Sequence, residues 1–319
     1  MPFKKRQDKV LSTDINALKR DLSFIKDINI LEDISIASFT SFGIGGVCRL
    51  FLEPYTYKAL RQVKNYLDAN LINYYVLGGG SNILAPDKGI DCILSLRGLR
   101  AFSIEMQGGI EQDSISLRVG AGFSLKGLIS WCSQNGFSGL EPLVCIPASV
   151  GGAVRMNAGT KEGSISDVVT RILVLKEGEL FWIDKERIPF GYRDIGLDDN
   201  TIICASEFRL KRQKPVFVKK NIFKFIYKRR KTQPIEAKSA GCIFKNPKGD
   251  YAGRLIELCG FKGRQIGNAQ VSTKHANFII NLGGASQHDV LELIELIRQK
   301  VKKEFFKELL LEIKVWGVD

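Results

Sequence analysis

Residues 74–82, with the sequence YYVLGGGSN, run a predicted strand straight into a loop of three glycines, a serine and an asparagine. Glycine frees the backbone, so that consecutive N–H groups can converge, and the two polar side chains add donors. A strand-end loop of this kind can bind a diphosphate. The loop matches neither the GxGxxG nor the Walker pattern, so alone it is weak evidence for nucleotide binding.

Predicted helices and strands alternate on both sides of this loop. The helix predictions rest on apolar residues at helical spacing, with polar residues at the start and glycine at the end. Helices are predicted at residues 57–70, between Ser124 and Gly136, between Asp250 and Gly260, and onward from Ser286 with Asp289; strands are predicted at residues 90–96, 115–119, 171–175, 202–210, 276–281 and 311–315.

Residues 139–159, GLEPLVCIPASVGGAVRMNAG, are apolar but rich in glycine, proline and small side chains. Such a segment is too constrained for a surface loop, and we expect it to be too broken for a helix. We interpret it as a buried, irregular path past a flat ligand.

Three polar residues are candidates for chemistry. Cys242 lies in SAGCIFKNP, residues 239–247, where the preceding glycine allows a close approach to a ligand; the alternative is a buried structural cysteine. Arg193 in FGYRD is either a surface ion pair or a fixed cation aimed into a site. Glu312 lies in the predicted terminal strand, where a carboxylate is usually solvated.

The composition is that of a globular protein. The 319 residues are 45% hydrophobic and 25% charged, and no run of about 18 apolar residues predicts a membrane span. The charged start lacks the apolar core of a secretory signal, so we expect a cytoplasmic location. Seven scattered cysteines, no CxxC pair and only two histidines predict reduced thiols and no metal site.

Positive charge is concentrated in one segment. The formal net charge is +13, and residues 211–231 contain ten basic residues, no acidic one, and interleaved aromatic residues. Two interpretations remain open for this segment: an amphipathic helix with a solvated basic face, or a surface that binds the phosphates of a polymer or a nucleotide.

Seven segments taken together resemble the UDP-N-acetylenolpyruvoylglucosamine reductase (MurB) family. They occur in the order found in the family and span nearly the whole chain beyond about residue 27. The segments are 40–46 (TSFGIGG), 76–84 (VLGGGSNIL), 146–159 (IPASVGGAVRMNAG), 190–194 (FGYRD), 239–247 (SAGCIFKNP), 260–281 (GFKGRQIGNAQVSTKHANFIIN) and 312–317 (EIKVWG).

The resemblance implies an α+β fold: a two-part FAD-binding module of the vanillyl-alcohol oxidase (PCMH) type, followed by a C-terminal α+β substrate-binding domain. The implied division is a basic extension at residues 1–26, FAD-binding subdomains at 27–97 and 98–213, and the substrate-binding domain at 214–319. The short connection after Leu210 leaves no room for the extra loop that covers the substrate in some members, which resembles the shorter subclass.

The resemblance also implies an NADPH-dependent flavoenzyme that reduces UDP-N-acetylglucosamine enolpyruvate to UDP-N-acetylmuramate for peptidoglycan. Hydride arrives at one carbon of the double bond, so negative charge builds up on the other carbon and the carboxylate. Arg193 and Glu312 are implied to stabilise the enol, and Cys242 to donate the proton. Cys242 stands where the best-known members have serine; a thiol is the stronger acid but is open to alkylation and oxidation.

The family pattern also implies the binding residues, with FAD and NADPH as cofactors. The FAD contacts fall on Gly78, Gly79, Gly80, Ser81 and Asn82 for the diphosphate and on Gly151, Gly152, Asn157, Ala158 and Gly159 for the isoalloxazine ring. The substrate contacts fall on Tyr192, Arg229, Lys245, Asn246, Lys262 and His275.

Three other functions explain less of the sequence. An oxidase of the same FAD module often tethers flavin through histidine, but His275 and His288 are far from the FAD loops in sequence. A basic nucleic-acid-binding protein leaves the glycine loops and Cys242 unexplained, so we expect no nucleic-acid partner. A catalytically dead flavoprotein is disfavoured, because all three catalytic positions hold competent side chains.

Overall fold

The computed structural model describes residues 15–105 and 113–317 of the chain, which form three packed units. The basic extension predicted at residues 1–26 falls partly outside this range. Its described part forms helix α1 (Ile15–Leu22), whose Ile15, Leu18 and Leu22 are buried against the first unit. The three domain boundaries given above stay predictions.

The first unit is a four-stranded sheet with one covering helix. The strand order is β1-β2-β5-β3, with parallel pairing of β2 to β5 and of β5 to β3. The helix predicted at residues 57–70 is present, and Thr56 caps it by accepting a hydrogen bond from the Ala59 N–H at 3.2 Å. The elements are β1 (Ile28–Ser35), β2 (Val47–Pro54), α2 (Tyr57–Ala69), β3 (Tyr75–Leu77), β4 (Ile83–Leu84) and β5 (Ile90–Ser95).

The second unit is a six-stranded sheet built around one long strand. Its order is β12-β11-β13-β7-β6, and β8 also pairs with β13. Ser124 caps helix α3 and Gly136 ends it in the left-handed conformation at φ 72°, as predicted. The elements are β6 (Phe102–Glu105), β7 (Ser114–Gly120), α3 (Leu125–Asn135), β8 (Phe137–Ser138), α4 (Val150–Arg155), β9 (Gly159–Thr160), β10 (Gly163–Ser164), β11 (Val169–Lys176), β12 (Glu179–Asp184) and β13 (Ile202–Arg212).

The expectation that residues 139–159 contain no helix was wrong. Helix α4 forms there, begun by Ser149, whose hydroxyl accepts a hydrogen bond from the Gly152 N–H at 3.3 Å. Its glycines serve packing, because a Cβ atom on Gly151 would lie 2.6 Å from the Ala121 Cβ. The low helix propensity of glycine is therefore offset by a close approach that only glycine permits.

The third unit packs two helices on a small antiparallel sheet of order β14-β15-β16. Ser286 and Asp289 form the predicted capping box of its long helix. Asp250 does not cap the short helix: Asn246 Oδ1 accepts from the Ala252 N–H at 3.0 Å, and Asp250 pairs with Arg254. The elements are α5 (Pro215–Thr232), α6 (Ala252–Leu258), β14 (Gln265–Ile266), β15 (Ala269–Val271), β16 (Ile279–Asn281), α7 (Gln287–Phe305) and β17 (Lys314–Val315).

The first and third units interlock. Phe42, Ile44 and Leu84 of the first unit lie in the hydrophobic core of the third. The terminal strand is shorter than predicted: β17 pairs in parallel with β4, and Leu311 forms a single antiparallel bridge with Phe244. The first and third units therefore share a separate two-stranded sheet, β4 with β17.

Helix α5 follows strand β13 after two residues. This connection is too short for a substrate-covering loop, as predicted. The helix packs against α3, β8 and the turn at Glu141–Leu143 of the second unit. One of its sides therefore lies on the second unit, and the opposite side faces solvent.

Candidate active site

The glycine loop at residues 78–82 has unused donors. Among the residues the structure describes, the backbone N–H groups of Gly79, Gly80 and Ser81 donate to no protein acceptor. Backbone N–H groups seldom stay unpaired in folded proteins, and consecutive ones form a favourable site for an anion. These residues therefore fit a diphosphate group.

This loop is held in place by close backbone packing. A Cβ atom on Gly79 would lie 2.6 Å from the Ser149 backbone nitrogen, and one on Gly80 would lie 2.0 Å from the Phe39 carbonyl oxygen. Ser149 begins helix α4, which contains Gly151 and Gly152. The structure thus brings the two predicted FAD-binding segments together, although they are far apart in sequence.

The end of the second segment also carries an unsatisfied group. Asn157 adopts a positive φ of 39°, and its side-chain amide donates to the Gly191 carbonyl at 2.8 Å. Its Oδ1 atom is buried without a hydrogen-bond partner, which is costly unless a ligand or a small rearrangement satisfies it. Ala158 and Gly159 are buried beside it. This segment fits a bound ring system with polar edges.

Arg193 connects the second segment to the catalytic candidates. Its Nη2 donates to the Gly159 carbonyl at 2.8 Å and its Nη1 to the Asn157 carbonyl at 3.4 Å. Its backbone is left-handed at φ 57°, an uncommon conformation for arginine that is typical of functional turns. Of the two interpretations left open by the sequence, the structure favours the fixed cation.

Arg193 and Glu312 form a sheltered ion pair. The Arg193 Nε lies 2.8 Å from Glu312 Oε1, with side chains 22% and 14% exposed. The N–H does not point at the carboxylate, so the contact is an ion pair and not a well-aligned hydrogen bond. Burial raises the pKa of Glu312, while Arg193 and Lys245 oppose that shift. Glu312 is therefore not the solvated carboxylate that its strand position alone favours.

Cys242 is half-buried beside this pair. Its neighbour Ile243 accepts a hydrogen bond from the Glu312 N–H at 2.8 Å, which ties the two segments together. Burial, reinforced by the charge of Glu312, raises the pKa of Cys242 to about 12, against the opposing effects of Arg193 and Arg229. The side chain therefore stays a thiol at neutral pH and can act as an acid.

Asn277 helps to position the segment that carries Cys242, a role that its sequence context does not predict. It is buried, its Nδ2 donates to the Phe244 carbonyl at 2.8 Å, and its Oδ1 accepts from the Phe244 N–H at 2.9 Å. It also helps to offset the raised pKa of the Cys242 thiol. The only sequence signal was a polar residue inside the apolar stretch that leads into strand β16.

Arg229 extends the cluster from helix α5. It is partly buried, its Nη2 donates to the Pro142 carbonyl at 3.3 Å, and burial lowers its pKa. Arg193, Cys145 and Cys242 are among the groups whose charges act on it. The inner side of the basic helix thus supplies a second cation near the thiol.

The remaining predicted substrate contacts divide into two groups. Tyr192 stacks on Arg193, and its hydroxyl accepts from the Asn246 N–H at 3.4 Å. Lys245 acts on the pKa values of Glu312 and Asp194, so it also lies near the ion pair. Asn246 is partly committed to helix α6 through its Oδ1.

Lys262 and His275 lie at helix α6. Lys262 pairs with Glu257 at 2.7 Å, and burial lowers the pKa of His275. In the described ranges no hydrogen bond or ion pair connects them to Arg193, Cys242 or Glu312. Their role in substrate binding stays a prediction.

Of the other cysteines, Cys145 lies close enough to Arg229 to act on its pKa. All seven are unpaired, and four of them, Cys48, Cys92, Cys132 and Cys204, are buried. Residues 15–105 and 113–317 contain no group of histidine, cysteine and carboxylate side chains that could hold a metal ion. No helix within those ranges is long and apolar enough to cross a bilayer.

The sheet architecture and the glycine loop place the chain among FAD-binding proteins, and a family model described as FAD binding domain matches residues 48–184. A second model, UDP-N-acetylenolpyruvoylglucosamine reductase, C-terminal domain, matches residues 233–316. The chain belongs to the UDP-N-acetylenolpyruvoylglucosamine reductase family. The fold predicted from the sequence motifs is therefore confirmed.

Individual relatives agree over nearly the full length. The reductase of Syntrophobacter fumaroxidans is 38% identical over 295 residues, covering 92% of this chain and 86% of that protein. The reductase of Bacillus pumilus is 34% identical over 94% of this chain and 98% of its own. The crystal structure of the Thermus caldophilus reductase (MurB) superposes with a TM-score of 0.75 at 34% identity, covering 91% of this chain and 99% of that one.

Proposed function

We propose that the protein is a UDP-N-acetylmuramate dehydrogenase, which reduces the enolpyruvyl group of UDP-N-acetylglucosamine enolpyruvate during peptidoglycan precursor synthesis. The observation that carries this proposal is the convergence of Arg193, Glu312 and Cys242 beside the two FAD-binding segments. The chain thus holds a cation, a carboxylate and a protonated acid where a carbon–carbon double bond would be reduced.

FAD, reduced by NADPH, would supply the hydride in this reaction. Gly78, Gly79, Gly80, Ser81 and Asn82 would hold its diphosphate, and Gly151, Gly152, Asn157, Ala158 and Gly159 would line its ring. The unpaired backbone N–H groups and the orphaned Asn157 oxygen support this assignment. NADPH as the reductant is implied by the family and is part of the proposal.

Arg193 and Glu312 would act on the charge that develops at the substrate. The Arg193 guanidinium is fixed by two carbonyl oxygens and a carboxylate, so it needs little reorganisation to stabilise an enolate. Glu312 holds that cation in place and, with its raised pKa, can share a proton with the enol.

Cys242 would then protonate the carbanionic carbon. Transfer breaks the S–H bond, forms a C–H bond and leaves a thiolate, which recovers its proton from solvent. The positive charges of Arg193 and Arg229 favour the thiolate form, so they stabilise the product of this step. A thiol with a pKa raised to about 12 is protonated at the start of every turnover.

The acidic substrate is matched by the cations around the site. Tyr192, Arg229, Lys245 and Asn246 lie close to the catalytic residues, and Lys262 with His275 would extend the pocket along helix α6. A diphosphate and a carboxylate on the substrate require such positive charge. We place the reaction in the cytoplasm, where its nucleotide substrates are found.

The proposal is tested by NADPH oxidation with the purified, flavin-loaded protein, followed at 340 nm with and without UDP-N-acetylglucosamine enolpyruvate. We expect oxidation to accelerate strongly with this substrate and UDP-N-acetylmuramate to accumulate in equal amount. If flavin is bound but the substrate changes nothing, the FAD assignment survives and the substrate assignment fails. An oxidase of the same module would then show oxygen-dependent turnover of an alcohol.

A further inference from the structure

Helix α5 presents an unusual outward side. Val216, Phe223 and Tyr227 are 64%, 69% and 63% exposed, although large apolar side chains normally favour burial. They are separated by seven and four residues, so at 3.6 residues per turn they form one stripe about 17 Å long. Val218 is the helix's buried residue and lies on the opposite side. Apart from the Lys231 ammonium, which lies 4.4 Å from the centre of the Tyr227 ring, the stripe faces solvent.

Basic residues flank this stripe on both sides. At 100° per residue, Lys219 and Arg230 lie along one edge of the stripe, whereas Lys220, Lys224 and Lys231 lie along the other. Within the described ranges, Lys219, Lys220 and Lys224 make no ion pair. Helix α5 has no acidic residue at all. Its outer side is thus an apolar stripe between two rows of cations.

We infer that this outer side of helix α5 docks the enzyme onto an anionic lipid bilayer. A helix lying in a membrane interface needs aromatic side chains that enter the headgroup region and lysines on both edges that reach the lipid phosphates. In this arrangement the Phe223 ring enters the apolar part of the bilayer, and the Tyr227 ring inserts while its hydroxyl stays hydrated at the interface. Each lysine near the surface gains from the negative potential of anionic lipid.

Two other partners fit the observations less well. A second copy of the chain on the same surface would bring the five outward basic residues of one helix α5 against the same five of the other, and these charges repel. Single-stranded nucleic acid is usually bound in a charged groove, whereas side chains more than 60% exposed form a protruding ridge. The inner side of the same helix carries Arg229, so docking would leave the active-site cation untouched.

The inference is tested by co-sedimentation of the flavin-loaded full chain with vesicles at 0.1 M salt. One set contains phosphatidylcholine only, and the other contains about 30% phosphatidylglycerol. We expect at least tenfold stronger partition onto the anionic vesicles. The triple variant Lys219→Gln/Lys220→Gln/Lys224→Gln and the double variant Phe223→Ser/Tyr227→Ser should each reduce that partition at least tenfold without changing turnover.

Matched controls remove the same charge or the same aromatic area elsewhere. The triple variant Lys26→Gln/Lys58→Gln/Lys303→Gln and the double variant Phe24→Ser/Phe306→Ser alter exposed residues outside helix α5. Both should bind anionic vesicles within twofold of the parent protein. If the control variants lose as much binding to anionic vesicles as the helix α5 variants, the binding depends only on net charge or on nonspecific hydrophobic adsorption. That result would overturn the inference.

A second readout reports insertion directly. Phe223→Trp should be quenched by brominated lipid in anionic vesicles more strongly than the parent protein is. Absence of that extra quenching, or equal partition onto both vesicle types, overturns the inference. A 20-nucleotide oligouridine that binds through Phe223 and Tyr227, with no vesicle binding, would assign the surface to nucleic acid instead.

Discussion

The side-chain amide of Asn82 donates a hydrogen bond of 3.0 Å to the main-chain carbonyl of Glu312, across 230 residues of sequence. The Lys314 N–H returns a hydrogen bond of 2.9 Å to the Asn82 carbonyl. The last residue of the glycine loop and the main chain of Glu312 are therefore fixed to each other. A change at the cofactor loop is expected to reach the substrate side through this contact.

The glycine loop should tolerate no side chain at Gly80. Gly80→Ala places a Cβ atom 2.0 Å from the Phe39 carbonyl oxygen, so the loop must move and flavin affinity should fall at least tenfold. Gly249→Ala is the matched control, because Gly249 has a similar φ of 78° but no atom within 4 Å of its Cβ position. Flavin retention after gel filtration measures both. Normal retention in Gly80→Ala would contradict the role of the loop.

The proton-donor role of Cys242 predicts a split between the two half-reactions. Cys242→Ala should lower the rate of substrate reduction by about 10² to 10⁴-fold, the usual contribution of a general acid. Cys242→Ser should keep most of it, because a hydroxyl can still donate. Stopped-flow absorbance of the flavin measures each half, and reduction by NADPH should be unchanged in both variants. Full substrate reduction by Cys242→Ala would rule out proton donation by this thiol.

The hydrogen bonds of the Arg193 guanidinium predict that a positive charge at this position is not enough for full turnover. Arg193→Lys keeps the charge but loses the fork that bonds two carbonyl oxygens, so kcat should fall about 10² to 10³-fold, as for loss of one preorganised donor. Arg155→Lys is a suitable control, since Arg155 pairs with the exposed Asp199 and not with Glu312. A kcat within threefold of the parent for Arg193→Lys would contradict this geometry.

Neighbouring arginines on helix α5 should differ in their effect on substrate binding. Arg229→Ala removes the inward, partly buried cation, so the KM for the sugar nucleotide should rise at least tenfold while the KM for NADPH changes little. Arg230→Ala is the matched control, because Arg230 is 64% exposed and pairs with Glu236. Steady-state kinetics with each substrate varied give the comparison. The opposite pattern of KM changes would remove Arg229 from the substrate site.

The buried thiols predict loss of stability in alkali. Burial raises the pKa of Cys204 to about 12, above its unfolded value near 8.5, so its contribution is complete below about pH 8.5. As pH rises from there towards 12, the unfolded state ionises first and the free energy of unfolding falls by about 1.4 kcal/mol per pH unit for this thiol.

Urea unfolding between pH 8 and 10.5 measures that slope. Cys204→Ala should lower the free energy of unfolding through lost packing but also make its decline with pH shallower. Val174→Ala, in the adjacent strand β11, should cost packing energy and leave the slope unchanged. Identical slopes in the parent and Cys204→Ala would show that this thiol is not protected.

Local signals predicted the well-bounded elements. Helices α3 and α7 begin at a serine whose hydroxyl accepts a backbone N–H, and α3 ends at a left-handed glycine; each of these is visible in a few adjacent residues. Arg193, Cys242 and Glu312 also lie in short segments that resemble those of a known family, and the structure brings them together, but their catalytic roles stay predictions. Local rules suffice where the determining atoms are close in sequence.

Distant contacts decided the rest. Helix α4 forms in a glycine-rich segment because Ala121 approaches its backbone, and Asn277 shapes the thiol site through two bonds to Phe244. These partners are brought together only by the tertiary fold, so spacing and propensity could not reveal them.

The parallel pairing of β4 with β17 can form only after the C-terminal residues have been synthesised. Ribosomes add about 5 to 20 residues per second, so Glu312 emerges about 10 to 50 s after Asn82. Until then the cofactor loop of a nascent chain lacks its neighbouring strand and the hydrogen bond that fixes Asn82. If the loop binds flavin, we expect stable binding only after the C-terminal segment has been synthesised and has paired with β4.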